Sequence, residues 1–214
     1  MMKYKAVLFD MDGTLLDTLT DLADAVNHVL AAHGYPLRTV EEVRVFVGNG
    51  ARRLMERALP PEVTGDAFEA LLEEYRAWYE AHTCVRTAPY PGVIAVLAAL
   101  ERAGVRCAVV SNKPDGATRA LAERFFPGLP AFGQRDGVPA KPAPDMVYRA
   151  LEELGVDRRD AAYVGDSEVD VALARNAGLP LIAVSWGFRG RQALEDAGAE
   201  LVVDDAAQLL ENAL

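Results

Sequence analysis

The chain has 214 residues, 51% of them apolar and 25% charged, enough to bury one ordinary globular core with room for a smaller partner unit. Its formal net charge of −10 argues against nucleic acid, which demands clustered Lys and Arg, but leaves open a phosphorylated small molecule that needs only a local cation or two. Cys84 and Cys107 are too few for a disulfide framework and lack metal-ligand spacing, and no stretch approaches the ~18 uninterrupted apolar residues of a membrane helix.

The opening MMKYKAVLFDMDG reaches an acid too soon for the apolar region of a signal peptide, so a cytoplasmic protein is expected. Tyr4–Phe9 reads as a short buried strand closed by Asp-Gly turn chemistry. From Leu19 the period becomes helical: Leu22, Val26, Val29 and Leu30 share a face until Gly34 and Pro36 stop it. Thr39 with Glu42 forms a capping box for a short helix that turns Val43, Phe46 and Val47 inward. GNG at 48–50 separates it from the helix ARRLMERAL, which Pro60 and Pro61 end. Phe68, Leu71, Leu72, Tyr75 and Tyr79 then mark a longer amphipathic helix. Residues 19–83 hold no convincing strand and are expected to form a helical bundle, with His28, His33, His82 and Trp78 structural.

Beyond RTAPYPGV the texture alternates. A helix through Val93, Val96, Leu97 and Leu100 leads to a strand over Val105–Val110 that ends at SNKP. A helix over 116–126, a Pro- and Gly-rich loop at 127–144 carrying Lys141, and a helix with Val147 and Leu151 follow. The strand Ala161–Val164 ends at GDSEVD, and LPLIAV and AELVV are two further short apolar runs. Strands alternating with helices predict an α/β fold, a doubly wound parallel sheet covered on both faces. The helical segment is then an insertion, giving a discontinuous core of 1–16 and 85–214 and an α-helical cap of 17–84.

In open parallel sheets ligands sit beyond the carboxyl ends of the strands. Three predicted strands end in polar clusters: Asp10 with Asp12, Ser111 with Asn112, and Asp166 with Asp170. If these ends are neighbours, up to four carboxylates share one cleft, and charges so close cannot all stay ionised without a cation. An all-oxygen cluster suits Mg²⁺, which takes one or two carboxylates and completes its shell with water and phosphate oxygens. Asp10 and Asp12, two apart on an extended segment, point to one side, so one can attack a reacting centre while the other handles protons. Gly13 allows the tight exit, and Thr14 offers a hydroxyl to a bound anion. Simpler alternatives exist for each: an ordinary turn at Asp12-Gly13, a helix cap at Ser111-Asn112, a solvated Lys141, and for Asp170 a helix cap or a pair with a nearby basic side chain.

DMDGTLLDT, SNKP, KPAPD and GDSEVD, in that order, resemble the four motifs of the haloacid-dehalogenase-like hydrolases, over nearly the whole chain. The resemblance implies a Rossmann-like core and a set of roles. Asp10 would be the nucleophile that becomes an aspartyl-phosphate, and Asp12 the acid and base. Mg²⁺ would sit on Asp10, the backbone carbonyl of Asp12 and Asp166. Ser111 and the amide of Asn112 would bind the phosphoryl group, Lys141 would neutralise its charge, and Asp170 would steady Lys141 or a metal-bound water.

Asp12 favours phosphorus over the carbon chemistry of the dehalogenases, which lack this second acid. The insertion, FVGNGARRLMERAL and SWGFRG resemble the phosphoglycolate phosphatase branch, and Thr14 fits a phosphatase better than a mutase, where an apolar residue is common. Arg52 or Arg53, beyond two glycines that let a loop dip toward the cleft, could meet a second anionic group on the substrate; the alternative is a solvated helix face. The expectation is a Mg²⁺-dependent phosphatase for a small phosphorylated metabolite, with 2-phosphoglycolate the best single guess, acting as a monomer or homodimer. Residues near Thr18 and Thr83–Tyr90 would be the hinges. The rivals are a β-phosphoglucomutase-like mutase, a pyrophosphatase, and a receiver-type signalling module with a similar acid cluster.

Overall fold

The computed structural model describes residues 3–214; residues 1 and 2 of the expected segment 1–16 lie outside the described residues. Ala6–Phe9 (β1) is buried on both faces, as an unbroken apolar run at the centre of a parallel sheet must be. After it the chain makes Leu16–Asp17 (β2) and four helices, Leu19–Ala32 (α1), Val40–Phe46 (α2), Gly50–Ala58 (α3) and Gly65–His82 (α4). Ala88–Pro89 (β3) returns it to an alternating series: Val93–Arg102 (α5), Arg106–Pro114 (β4), Asp115–Phe125 (α6), Ala131–Gln134 (β5), Asp145–Leu154 (α7) and Ala161–Gly165 (β6). Glu168–Ala177 (α8), Leu181–Val184 (β7), Arg191–Asp196 (α9), Val202–Val203 (β8) and Ala206–Ala213 (α10) complete it.

The six-stranded sheet has the order β5-β4-β1-β6-β7-β8, parallel throughout. Alternation along β1 divides the core. Val7 and Phe9 face a cluster with Val96 and Leu100 of α5 and Leu209 of α10, whereas Ala6 and Leu8 face Val147 and Leu151 of α7 and Leu173 of α8. Val7 pairs with Cys107 of β4 and with Ala162 of β6, so three strand ends emerge side by side. The expected α/β doubly wound sheet is therefore present.

Two details differ from the sequence reading. The strand expected to stop at Val110 continues through SNKP to Pro114, with a register shift against its neighbour beyond Val110. The stretch 127–144, read as a loop, contains the edge strand β5. Its partner lies in β4, a non-local pairing that no local pattern announces.

The helical stretch behaves as its periodicity suggests. Leu22, Val26, Met55, Leu72 and Tyr79 are buried in one cluster, which Ala117 of α6 and Phe188 also join. The Thr39–Glu42 capping box forms, with the Glu42 amide on Thr39 Oγ1 and the Thr39 amide on Glu42 Oε2. Trp78 lies between His28 and His82, stacked at 4.9 and 4.0 Å. Among the described residues no helix is long and apolar enough to cross a membrane.

Both chain passages between helices and sheet run through one small ribbon, in which Leu16 pairs with Pro89 and Asp17 with Ala88. Asp21 pins it. Its buried carboxylate accepts from the amides of Val85, Arg86 and Thr87 and from the Thr87 hydroxyl, at 2.8 to 3.0 Å. Removing the acceptor strands the buried Thr87 amide and hydroxyl, so Asp21→Ala is expected to cost about 2 kcal/mol, or roughly 5 °C of melting temperature. Thermal denaturation reads this directly; an unchanged melt would contradict it.

Candidate active site

Asp10 is the first residue after β1, where its amide still donates to Val164 of β6 at 2.9 Å. Its side chain therefore leaves the sheet at the central strand end. Met11 donates its amide to Asp10 Oδ1 at 2.7 Å, and Lys141 Nζ lies 2.9 Å from Oδ2. The chain then turns at Gly13, φ +84°; a side chain there would overlap the Asp166 carboxylate, so only glycine lets the segment pass.

Asp166 follows β6 in the same manner. Its Oδ1 accepts from the Thr14 hydroxyl at 3.0 Å and its Oδ2 from the Phe188 amide at 2.8 Å. Thr14, expected to meet an anion, is thus fully buried and spent on orienting Asp166. Asp170 accepts from Lys141 Nζ through Oδ1, and from the amide and hydroxyl of Ser167 through Oδ2. It both braces the start of α8 and holds the lysine. Lys141 completes its contacts on the Tyr163 hydroxyl at 3.1 Å.

Asn112 does more than its expected backbone role. Its side chain accepts from the Lys141 amide and donates to the Lys141 and Gly48 carbonyls, tying the lysine loop to the end of α2–α3. Ser111 lines the cleft, as do Asp10, Asp12 and Asp166.

Carboxyl oxygens of Asp10, Asp166 and Asp170 lie within 4.8 Å of one another, all three buried. The electrostatics show the strain of that crowding. Burial pushes the Asp10 carboxyl up to about 7, Lys141 pulling against it while Asp170 and Asp12 add to it. Burial, Asp170 and Asp10 likewise raise Asp166 well above the carboxylate range. Burial pulls the Lys141 ammonium down, but Asp10 and Asp170 outweigh it and hold the lysine firmly charged. Lys141 and Lys113 do not balance Asp10, Asp12, Asp166 and Asp170, so a divalent cation fits the site: oxygen donors converge and negative charge is in excess.

A prediction follows for the protein in chelator. Between the ordinary carboxylate value of 3.8 and about 7, native Asp10 keeps a proton that the unfolded chain has released. The native state then binds more protons, so the part of the stability linked to Asp10 is full below that window and is lost as pH rises through it. A cation takes over the proton's role. The rise in melting temperature produced by Mg²⁺ over EDTA should therefore be larger at about pH 8 than at about pH 5. An increment that shrinks with pH would contradict it.

Above these groups lies a cavity of about 810 Å³, roofed by residues 47–54 and by Tyr75 and Tyr79 of α4. Arg52 and Arg53 both line it, yet both are engaged by nearby acids. Arg52 makes a bidentate pair with Glu69 at 2.8 and 2.7 Å over the Phe68 ring, and Arg53 pairs with Glu56 at 2.6 Å. Neither guanidinium points free into the cleft, which favours the solvated-face alternative.

Three further groups reach the site, two with no role expected from the sequence and one, Thr18, expected only at a hinge. Lys113 grips both oxygens of Asp12, at 2.8 and 3.0 Å; it stands two residues past Ser111 on a strand, a spacing that could have flagged it. Thr18 donates to Asp12 Oδ1 at 2.7 Å. Arg189 reaches from the SWGFRG loop to the Arg44 and Val47 carbonyls that end α2, and to Glu168. No local pattern reveals that last contact, because its acceptors are backbone atoms of a distant helix.

Comparison with known proteins agrees with this geometry. The sequence profile of a hydrolase family, haloacid dehalogenase-like hydrolase, matches residues 4–178. A phosphoglycolate phosphatase of Rhodospirillum rubrum is 37% identical over 215 residues, covering 96% of this chain and 89% of its own. An N-acetylmuramic acid 6-phosphate phosphatase of Pseudomonas aeruginosa is 33% identical, covering 98% and 95%. Among solved structures, a candidate phosphoglycolate phosphatase from Lactobacillus delbrueckii subsp. bulgaricus superposes with a TM-score of 0.94 at 39% identity, covering 100% of this chain and 99% of that one.

Proposed function

The chain belongs to the haloacid dehalogenase-like hydrolase family, and from that premise we propose that it is a Mg²⁺-dependent phosphatase of small phosphomonoesters, with 2-phosphoglycolate its best substrate. The observation that carries this reading is the convergence of Asp10, Asp12, Ser111 and Asp166 at three adjacent strand ends under one cleft, with Lys141 reaching Asp10 from the loop before α7. Relatives that share nearly the full length are phosphatases by name.

In this reading Asp10, the Asp12 carbonyl and Asp166 would hold the cation, which would supply charge neutralisation and orientation to the phosphate. Asp10 attacks phosphorus in line, and Asp12 gives its proton to the leaving oxygen. Ser111 and the Asn112 amide hold the phosphoryl oxygens. Lys141, fixed by Asp170 and Tyr163, lies against the Asp10 carboxylate, where it orients the nucleophile and offsets the negative charge of the phosphoryl group that Asp10 attacks. Asp12 then accepts a proton from the water that frees Asp10. Residues 17–84 act as the cap, with the ribbon at 16–17 and 88–89 and the Asp21 clamp as its hinge.

The test is phosphate release across a panel: 2-phosphoglycolate, sugar phosphates, an amino-sugar phosphate and pyrophosphate, each with Mg²⁺ and with EDTA. The cleft is large enough for sugar phosphates, so they belong in the panel. The highest specificity constant is expected for 2-phosphoglycolate, with activity abolished by EDTA. Turnover that requires a sugar bisphosphate would indicate a mutase instead, and a stable phosphoprotein without turnover would indicate a signalling module.

A further inference from the structure

We propose that Lys113 is a positioning residue for Asp12, an inference that rests on the reading of Asp12 as the acid–base group. The Lys113 ammonium meets both Asp12 oxygens, and its side chain is only 2% exposed. Thr18 donates to one of the same oxygens. On the helical side the Tyr79 ring of α4 lies with its centroid 4.7 Å from the ammonium. Asp12 is thus held by a core-strand lysine, itself seated against a ring of α4, and by the Thr18 hydroxyl. A lysine suits the place because a compact ammonium can serve both carboxylate oxygens and still touch a ring, and removing Asp12 would leave the buried Lys113 charge unpaired.

The consequence lies in the second half-reaction. A water oxygen bonds to phosphorus, the bond from phosphorus to the Asp10 oxygen breaks, the Asp10 carboxylate is restored, and the water's proton passes to Asp12. That step always needs Asp12 in place. The first step needs it only when the leaving oxygen must be protonated, and nitrophenolate departs without a proton. Lys113 is therefore felt on different steps with different esters.

Lys113→Met, close in length and uncharged, tests this with p-nitrophenyl phosphate under rapid mixing. Expected are a burst of nitrophenolate approaching one per active site, a steady rate lower by about 10²-fold, and no rise in KM. An alkyl phosphate should give no burst, and Lys113→Arg should recover part of the rate. Lys113→Gln keeps the test open if the methionine variant does not fold by circular dichroism. Asp12→Asn is the control. If it neither bursts nor slows, the acid–base reading itself fails. If it bursts while folded Lys113→Met or Lys113→Gln turns over like the parent, or only raises KM, the role of Lys113 is overturned.

Discussion

Replacing Asp10 by asparagine is expected to lower turnover by at least about 10³-fold while leaving the fold intact. An amide oxygen is a poor nucleophile toward phosphorus and cannot form the acyl-phosphate. The change is otherwise nearly isosteric. Asp10 Oδ1 accepts the Met11 amide, an interaction that an asparagine oxygen can keep, and Lys141, which loses its 2.9 Å partner on Oδ2, stays paired with Asp170. The variant also removes one charge from a crowd in which burial and neighbouring carboxylates already push Asp10 up to about 7. In chelator above that pH its melting temperature should therefore equal or exceed the parent's. Loss of activity with gain of stability is the signature of a group kept for chemistry at a cost to the fold. Retained turnover would remove Asp10 from the mechanism.

Lys141→Met should lose activity to a similar extent, but with the opposite effect on stability. The ammonium lies 2.9 Å from Asp10, 2.8 Å from Asp170 and 3.1 Å from the Tyr163 hydroxyl, fully enclosed. Without it, three buried carboxylates face one another with no cation from the protein beneath them. Breaking a buried ion pair by removing one partner costs about 3–5 kcal/mol, so a drop of roughly 10 °C in melting temperature is expected. Mg²⁺ should restore part of that loss, since it can supply the missing charge, but little of the activity. Circular dichroism melts with and without Mg²⁺, beside the turnover assay, check both. A variant as stable as the parent in EDTA would mean that the carboxylates do not depend on Lys141.

The pair of variants also shows what was legible in the chain and what was not. Asp10, Asp12, Ser111, Asp166 and Asp170 could be read because each follows an apolar run that can only be a strand, and parallel sheets present such ends to one edge. The register that brings Cys107 and Ala162 beside Val7 turns that expectation into proximity. Side-chain partners chosen across space were less readable. Locally the Thr14 hydroxyl looked available to a bound anion, but Asp166, 152 positions away, claims it. Arg52 looked available until Glu69, from another helix, took it in a bidentate pair. The edge strand β5 was hidden among prolines and glycines because its hydrogen bonds come from β4 and not from its own alternation. In each case a polar group's local options were readable, and the fold selected among them.

The most direct measurement is to identify the residue that carries phosphate during turnover. Acid quenching, borohydride reduction of the acyl-phosphate to an alcohol, and peptide mass mapping would mark the carboxylate that attacked. The mark is expected on Asp10, within the peptide that spans Ala6–Thr18, and it should be absent from Asp10→Asn. A mark on Asp12 or Asp166, or rapid turnover with no marked residue, would show that the attacking oxygen belongs to another group or to water.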